Sequence, residues 1–422
     1  MIRSSAPIRP IEEEAEATRA PTAAQDAAAA YRAVSPGAGE EVGAAGGEGD
    51  GAAPGLRPLL GSILEVPPAQ PSAQVGSSRQ RVARLTIASL WVALVVTSLA
   101  AAGVGAVTVS PGEILAAVGH RLGWVEAVDP TVDAIVMVIR LPRVLLGILV
   151  GSAIACCGVL LQGLFRNPLA DSGLLGISSG ASVAVAAAVV AGASLDGVGG
   201  LLGAATLPIT AFVGALITIW LVGRIASSGG RTDITTLLLA GIAITAVAEA
   251  GVSLASFLST ENQLRTISTW RMGSLGGATW LGSVWVAIPV ALLFLSARRL
   301  GRSLDALLLG EREAAHLGIE VEPLKRKIVI LVALAVGASV AATGIIGFVG
   351  LVVPNLMRLA IGPGHRYLLP ASALGGGVLV LGADLLARTV IAPAELPIGI
   401  VTAAIGSPFF IYLLLRHKKR IA

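Results

Sequence analysis

The sequence predicts an all-α polytopic membrane protein with about ten transmembrane helices per subunit. Composition is the first reason. Hydrophobic residues make up 55% of the 422-residue chain and charged residues 13%, with a mean hydropathy of +0.83, far from a soluble globular average. The second reason is a succession of apolar runs of roughly 17–25 residues, the length that crosses a ~30 Å hydrocarbon core as a helix. Buried core helices of a large soluble protein do not supply ten such runs at this charge density.

The ten predicted spans fall at about 85–107, 143–165, 173–193, 202–223, 236–258, 279–297, 327–345, 346–361, 369–387 and 397–415. The eighth is short, and its join to the seventh is placed at 345–347. Many of the 52 glycines lie within the spans, as in "LLGISSGAS" and "GGGVLVLGAD". Small residues let helices approach closely where lipid offers no hydrophobic drive for association. The two cysteines, Cys156 and Cys157, are neighbours in the middle of a span. That placement suits neither a disulfide nor a metal site, so both read as small packing residues.

Residues 1–77 differ from the rest. They are rich in Ala, Gly, Pro and Glu and hold one aromatic residue, Tyr31. Such a segment buries too little apolar surface to offset chain entropy, which predicts a disordered N-terminal tail before a transmembrane domain at 78–422. It also lacks the basic and apolar regions of a signal peptide.

Alternating the spans from a cytoplasmic N-terminus puts nineteen basic residues inside and six outside. That asymmetry predicts that both termini are cytoplasmic. The outer six are Arg121, Arg140, Arg143, Arg265, Arg271 and Arg388. Arg140, Arg143 and Arg388 sit at span ends, where an arginine either snorkels to lipid headgroups or meets a carboxylate of a soluble partner. Asp384 lies four residues before Arg388, close enough on a helix to orient it.

Two further segments carry structure. In "GRSLDALLLGEREAAHLGIEVEPLKRK", Ser303 and Asp305 are read as caps of a short helix bearing Leu304, Leu307 and Leu308. A loop at Gly310 then leads into a second short helix, closed by Gly318. Two cytoplasmic helices with exposed leucines suit a socket on another protein, against the plainer reading of a basic loop. Between spans five and six, "ENQLRTISTWRMGSLGGATW" repeats Leu264, Ile267 and Trp270 at helical spacing but is too short to cross. A re-entrant or interfacial helix is expected there. Its Arg265 faces either an anionic cargo or lipid phosphate.

Several function classes are disfavoured. The four lysines follow no glycine, so there is no phosphate-binding GxxxxGK[ST] loop and no ATP hydrolysis by this chain alone. No His/Glu cluster marks a metal centre and no catalytic Ser-His-Asp or Cys-His set appears. His120, His316, His365 and His417 read as solvated. Glu249 and Asp384 are sparse charges for a proton relay, which weakens an ion-driven secondary transporter.

The stretches "RLPR", "GVLLQGLFRNPLADSGLLGISSGA", "LLLAGIAI", "LGEREAAHLGIEV", "GIIGFVGLVVPNLMRL" and "AELPIGIVTAAIGSPFF" together resemble the permeases that import iron chelates, haem and vitamin B12. These are membrane subunits of type II ATP-binding-cassette importers. The likeness covers about 84–416 in order and without large gaps.

The resemblance implies a homodimer with the pathway on its axis, two cytoplasmic ATPase subunits and one periplasmic binding protein in the bacterial inner membrane. It implies no cofactor on this subunit, ATP and Mg on the partner ATPase, and haem as the cargo. Vitamin B12 or a ferric siderophore is the alternative. By the same resemblance Arg140, Arg143 and Arg388 receive glutamates of the binding protein, and Arg265 lies on the translocation path. Asn167, Pro168, Leu169 and Ala170 match a cytoplasmic gate, joined by Ile234 and Thr235. Leu304, Leu307, Leu308, Gly310, Glu311, Ala314, Leu317 and Gly318 match the ATPase-coupling segment. One departure is Asn355, where the family commonly has His, which puts a coupling or closing role there in doubt.

Overall fold

The computed structural model describes residues 72–105, 107–124, 128–192 and 205–421, with side chains described from 79 to 415. All but the last six residues of the expected disordered tail lie outside that range. Those six instead open the first helix, α1 (Ser72–Gly103), through which no proline interrupts the backbone ladder.

The described chain is helical almost throughout. After α1 come α2 (Pro111–Arg121) and α3, a continuous 35-residue helix over Pro130–Leu164. A 3-10 turn at Ser172–Leu175 leads into α4 (Ile177–Val190), then α5 (Thr206–Ala226). A small hairpin pairs β1 (Ser227–Ser228) with β2 (Arg231–Thr232). Then follow α6 (Ile234–Leu258), α7 (Glu261–Arg271), α8 (Trp280–Leu307) and α9 (Glu311–His316). Four helices complete the chain: α10 (Val321–Thr343), α11 (Val349–Ile361), α12 (His365–Thr389) and α13 (Ile398–Ile421).

Eight of these helices are long and apolar enough to span a membrane. The shorter apolar helices α4 and α11 occupy the two remaining predicted positions, at about 1.5 Å per residue too short to cross alone. The break between α10 and α11 falls at 344–348, around the expected join. Gly344 and Phe348 there both take left-handed φ values, 71° and 66°.

Helix α3 is the axis of the fold. Its apolar window is 83% buried, against 17% for α1, whose apolar side chains face outward. It packs against α8, α10, α11 and α12. Two close approaches make this possible. A Cβ on Gly151 would collide with the Gly376 carbonyl of α12, and one on Gly376 with the Gly151 carbonyl; a Cβ on Gly158 would collide with the Gly350 carbonyl of α11, while one on Gly350 would meet Asp171 and Ile154. Without side chains at those points, backbone rests on backbone, the packing that replaces hydrophobic drive inside lipid.

The first part of α3 explains its odd sequence. Over Ile135–Arg140 the helix widens to π geometry, and the Leu141 N–H reaches back to Val136 O. Pro142 follows and has no N–H, so the next carbonyl of that register, Met137 O, loses its helical donor. The indole N–H of Trp280 on α8 donates to it at 2.7 Å. Arg140 and Arg143 therefore lie within a helix that began ten residues earlier, not at its mouth as the predicted span placed them.

Candidate functional site

The three arginines near that end of α3 form one network. Arg140 is 6% exposed. Its guanidinium donates to Ala102 O at 2.6 Å and Gly103 O at 2.7 Å, the last carbonyls of α1, and also to Val107 O. Arg388 donates to Ala101 O and Val104 O, both at 3.1 Å. Two cations thus cap the negative end of α1.

Arg143, 8% exposed, bridges two carboxylates. It reaches Asp384 of α12 at 2.9 Å and Glu395, in the α12–α13 loop, at 2.9 Å. Asp384 also pairs with Arg388 at 3.1 Å, the four-residue spacing expected from sequence. Glu395 is the outer member, its side chain 46% exposed. The hydrogen bond from Arg143 holds its carboxyl below the usual range, against a smaller opposing effect of burial. All three guanidiniums are therefore engaged by this chain's own groups, and Arg140 and Arg143 are buried rather than presented.

The other end of α3 closes in a fixed turn. Arg166 takes a left-handed φ of 49° and Pro168 disfavours helix at Asn167, so the ladder stops as expected. The Asn167 side chain accepts from Leu169 N–H at 2.9 Å, and its carbonyl accepts from Ala170 N–H. From α11, Asn355 donates to Pro168 O at 2.9 Å and to Leu351 O at 2.8 Å. Arg358 donates to the Asn355 amide oxygen at 2.9 Å and to Gln162 of α3 at 2.8 Å. Gln162 in turn donates to Gly350 O at 3.3 Å. Asn167, Pro168, Leu169 and Ala170 are thus tied to α11 through a clasp that the sequence did not reveal.

Ile234 and Thr235 open α6, capped by Asp233, which accepts from Thr236 N–H at 2.7 Å and from its hydroxyl at 2.6 Å. Those bonds hold the Asp233 carboxyl below its ordinary range. The preceding turn, Gly229–Gly230, has two positive φ values, 57° and 80°, as a tight primed hairpin requires.

The segment after α8 departs from expectation. No separate helix begins at Ser303, because the ladder of α8 runs on to Leu307 and the Ser303 hydroxyl donates back to Arg299 O. Asp305 caps a different helix: it accepts from the N–H of His365, first residue of α12, and sits 2.6 Å from the His365 ring. His365 is buried at 3% exposure, not solvated. Leu304, Leu307 and Ala314 are wholly buried and hold the segment to the body. The exposed apolar residues are Leu308, Leu309 and Leu317. Helix α9 starts after Gly310, with a φ of 139°, and stops at Gly318, with a φ of 82°, as the sequence implies.

Helix α7 has a capping box between Thr260 and Gln263 and buries Ile267 against α4 and α6. Arg271 pairs with Glu249 of α6 at 2.7 Å. Arg265 is exposed and makes no hydrogen bond or ion pair among the described residues. Cys156 and Cys157 are both buried and free. Among the described residues no group of three or more His, Cys, Asp or Glu side chains could hold a metal ion.

Residues 92–416 match the FecCD transport family. The chain belongs to that family. Within it, the chain is 43% identical over 340 residues to the hemin transport system permease protein HmuU of Yersinia pestis, covering 80% of this chain and 97% of that one. It is 39% identical to the vitamin B12 import system permease protein BtuC of Klebsiella pneumoniae, covering 81% and 97%. The cobalamin permease BtuC of Halobacterium salinarum is 42% identical, over 69% of this chain and 76% of its own. A solved structure described as an inward-facing conformation of the metal-chelate type of ABC transporter superposes with a TM-score of 0.66 at 31% identity, covering 78% of this chain and 98% of that one.

For this FecCD chain, both intramembrane carboxylates singled out from sequence are neutralised by arginines, Glu249 by Arg271 and Asp384 by Arg143 as well as the expected Arg388. The polar residues that sequence reasoning missed are Gln162, Arg358, Glu395 and Lys325. Each looked like an isolated polar residue along the chain and gains its meaning only from a partner on another element.

Proposed function

We propose that this chain is the membrane-spanning permease subunit of an ATP-binding-cassette importer that carries haem across the bacterial inner membrane, with both termini in the cytoplasm. The observation that carries the reading is the 43% identity over nearly the full length of a hemin permease. Arg265 adds to it: an exposed cation without a partner among the described residues suits the propionates of a porphyrin. The subunit is no enzyme; ATP and Mg belong to the partner ATPase, and haem is cargo rather than a resident cofactor.

The working assembly is a homodimer with two cytoplasmic ATPases and one periplasmic binding protein. The binding protein docks over Arg140, Arg143 and Arg388, where its carboxylates compete with Glu395 for Arg143. ATPases grip the exposed Leu308, Leu309 and Leu317 beside Gly310 and Glu311. Asn167 to Ala170 with Ile234 and Thr235 form the cytoplasmic gate, opened by rigid-body movement between two packings. An ion-driven transporter is disfavoured, because arginines already neutralise Glu249 and Asp384 and leave no relay.

The test is ATP-driven uptake into proteoliposomes holding this chain with its neighbouring ATPase, offered haem, cobalamin and a ferric siderophore in turn on cognate binding proteins. Uptake of haem alone is expected. Uptake of cobalamin, the cargo named for relatives at 39% and 42% identity, keeps the importer and replaces the cargo. No ATP-dependent uptake of any cargo by an assembled complex overturns the importer reading.

A further inference from the structure

Lys325, in the first turns of α10, has a side chain only 5% exposed. A buried ammonium requires partners for its three N–H groups. Each finds one, and the three acceptors sit on three different elements. The Nζ lies 3.0 Å from the Glu311 carboxylate of α9, 3.1 Å from Glu322 of α10 and 3.3 Å from Thr232 O of β2. Glu322 completes a ring by accepting from Thr232 N–H at 2.7 Å. Thr232 is thereby held at both its backbone groups. Beside it, Arg326 donates to Gly230 O at 2.7 Å and holds the hairpin turn to α10. The next residue along the chain, Asp233, caps α6 just before Ile234 and Thr235.

Thr232, Ile234, Thr235, Glu311 and Lys325 line one cavity of about 510 Å³. Glu311, the first residue of α9, and the opening residues of α6 therefore line one space that Lys325 bridges. Displacement of α9 without the hairpin would take from the buried ammonium one of its two carboxylates, leaving Glu322 and Thr232 O as its partners. Lys325 therefore ties α9 to the hairpin.

We propose that Lys325 is the positioning residue that transmits movement of the α9 segment to the start of α6, joining the ATPase-facing surface to the gate. This rests on the importer reading above and adds the connection by which hydrolysis on a partner reaches this chain's gate. Glu322 is the second member of the device, because it alone binds both Lys325 and the Thr232 N–H.

The experiment measures cargo taken up per ATP hydrolysed in proteoliposomes holding the complete complex, for wild type, Lys325→Met and Glu322→Ala. Spin labels at Thr235 and His316 of one chain report their separation with and without nucleotide. In wild type the separation is expected to hold steady between nucleotide states. In both variants it should broaden, and uptake per ATP should fall roughly 10-fold, the scale of one charge-assisted contact in a gating equilibrium. Glu322→Ala keeps the lysine in place, so it decides the matter if Lys325→Met does not assemble. A wild-type ratio and an unchanged separation in an assembled variant overturn the tether while leaving the importer intact. A wild-type complex that shows no ATP-driven uptake overturns the importer reading and the tether with it.

Discussion

Asn355 on α11 donates one side-chain amide to two carbonyls, Pro168 O at 2.9 Å and Leu351 O at 2.8 Å. Its amide oxygen takes the Arg358 guanidinium at 2.9 Å, so donors and acceptor are all used. Asn355 is thus the pin between α11 and the turn that ends α3. Asn355→Leu leaves the Pro168 carbonyl without its donor, a loss of about 1 kcal/mol in holding the closed turn. We expect higher cargo leak from proteoliposomes in the absence of ATP. Asn355→His, which keeps a ring N–H, is expected to leak no more than wild type; equal leak from Asn355→Leu would mean that the pin does not hold the gate.

Arg143 and Glu395 make a pair that a partner carboxylate would have to exchange. Glu395→Ala is expected to tighten binding-protein docking several-fold, read by surface-immobilised affinity, whereas Arg143→Glu weakens it. Unchanged affinity in both would remove Arg143 from the docking surface.

The same pair has a pH signature. Glu395 titrates lower in the folded chain than in the unfolded one. Its contribution is therefore complete above the unfolded carboxylate value, roughly 4.3, and is lost as pH falls through the lower folded value. Its partial exposure keeps the effect small. Melting temperature in detergent should fall more steeply below about pH 4 for wild type than for Glu395→Gln. Parallel curves would show that the pair adds nothing to stability.

Burial separates the leucines after α8 into two kinds. Leu308→Asp with Leu309→Asp changes exposed positions and should release the ATPase on size exclusion while the chain keeps its melting temperature. Leu307→Asp buries an unpaired charge and should destabilise the fold by several kcal/mol. If the exposed pair melts early too, those leucines are structural.

The reciprocal approach of Gly151 and Gly376 leaves no room for a side chain. Gly151→Val should force α3 and α12 apart, losing about 1–3 kcal/mol or more and lowering the melting point. Gly382→Ala, on the same α12 but with open space around its Cβ position, should melt like wild type. Equal behaviour of the two would refute close packing as the basis of this contact.

Arg265→Glu places an anion where the proposed cargo presents carboxylates, with no partner to lose among the described residues. Stability should change by less than about 0.5 kcal/mol, and haem uptake should drop while docking stays intact. Unaltered uptake would take Arg265 off the pathway.

By itself the sequence determined the class of protein, the ten apolar segments, the breaks near 345 and at Asn167–Pro168, and the stop at Gly318. These are local properties, set by run length against bilayer thickness, by proline's missing N–H and by glycine's access to positive φ. The Asp384–Arg388 pair was legible for the same reason, since four residues on a helix are neighbours. Only the tertiary structure decided that Arg140 and Arg388 cap α1, that Arg143 closes on Glu395, and that Asp305 caps α12 rather than a helix of its own. It alone made Leu304 and Leu307 core, His365 buried and Lys325 a junction. Arg143 and its carboxylates stand 241 and 252 positions apart in the chain. No periodicity encodes such a meeting; it follows from helices that glycine allows to touch, which bring polar groups from distant segments into one low-dielectric space where each must find a partner.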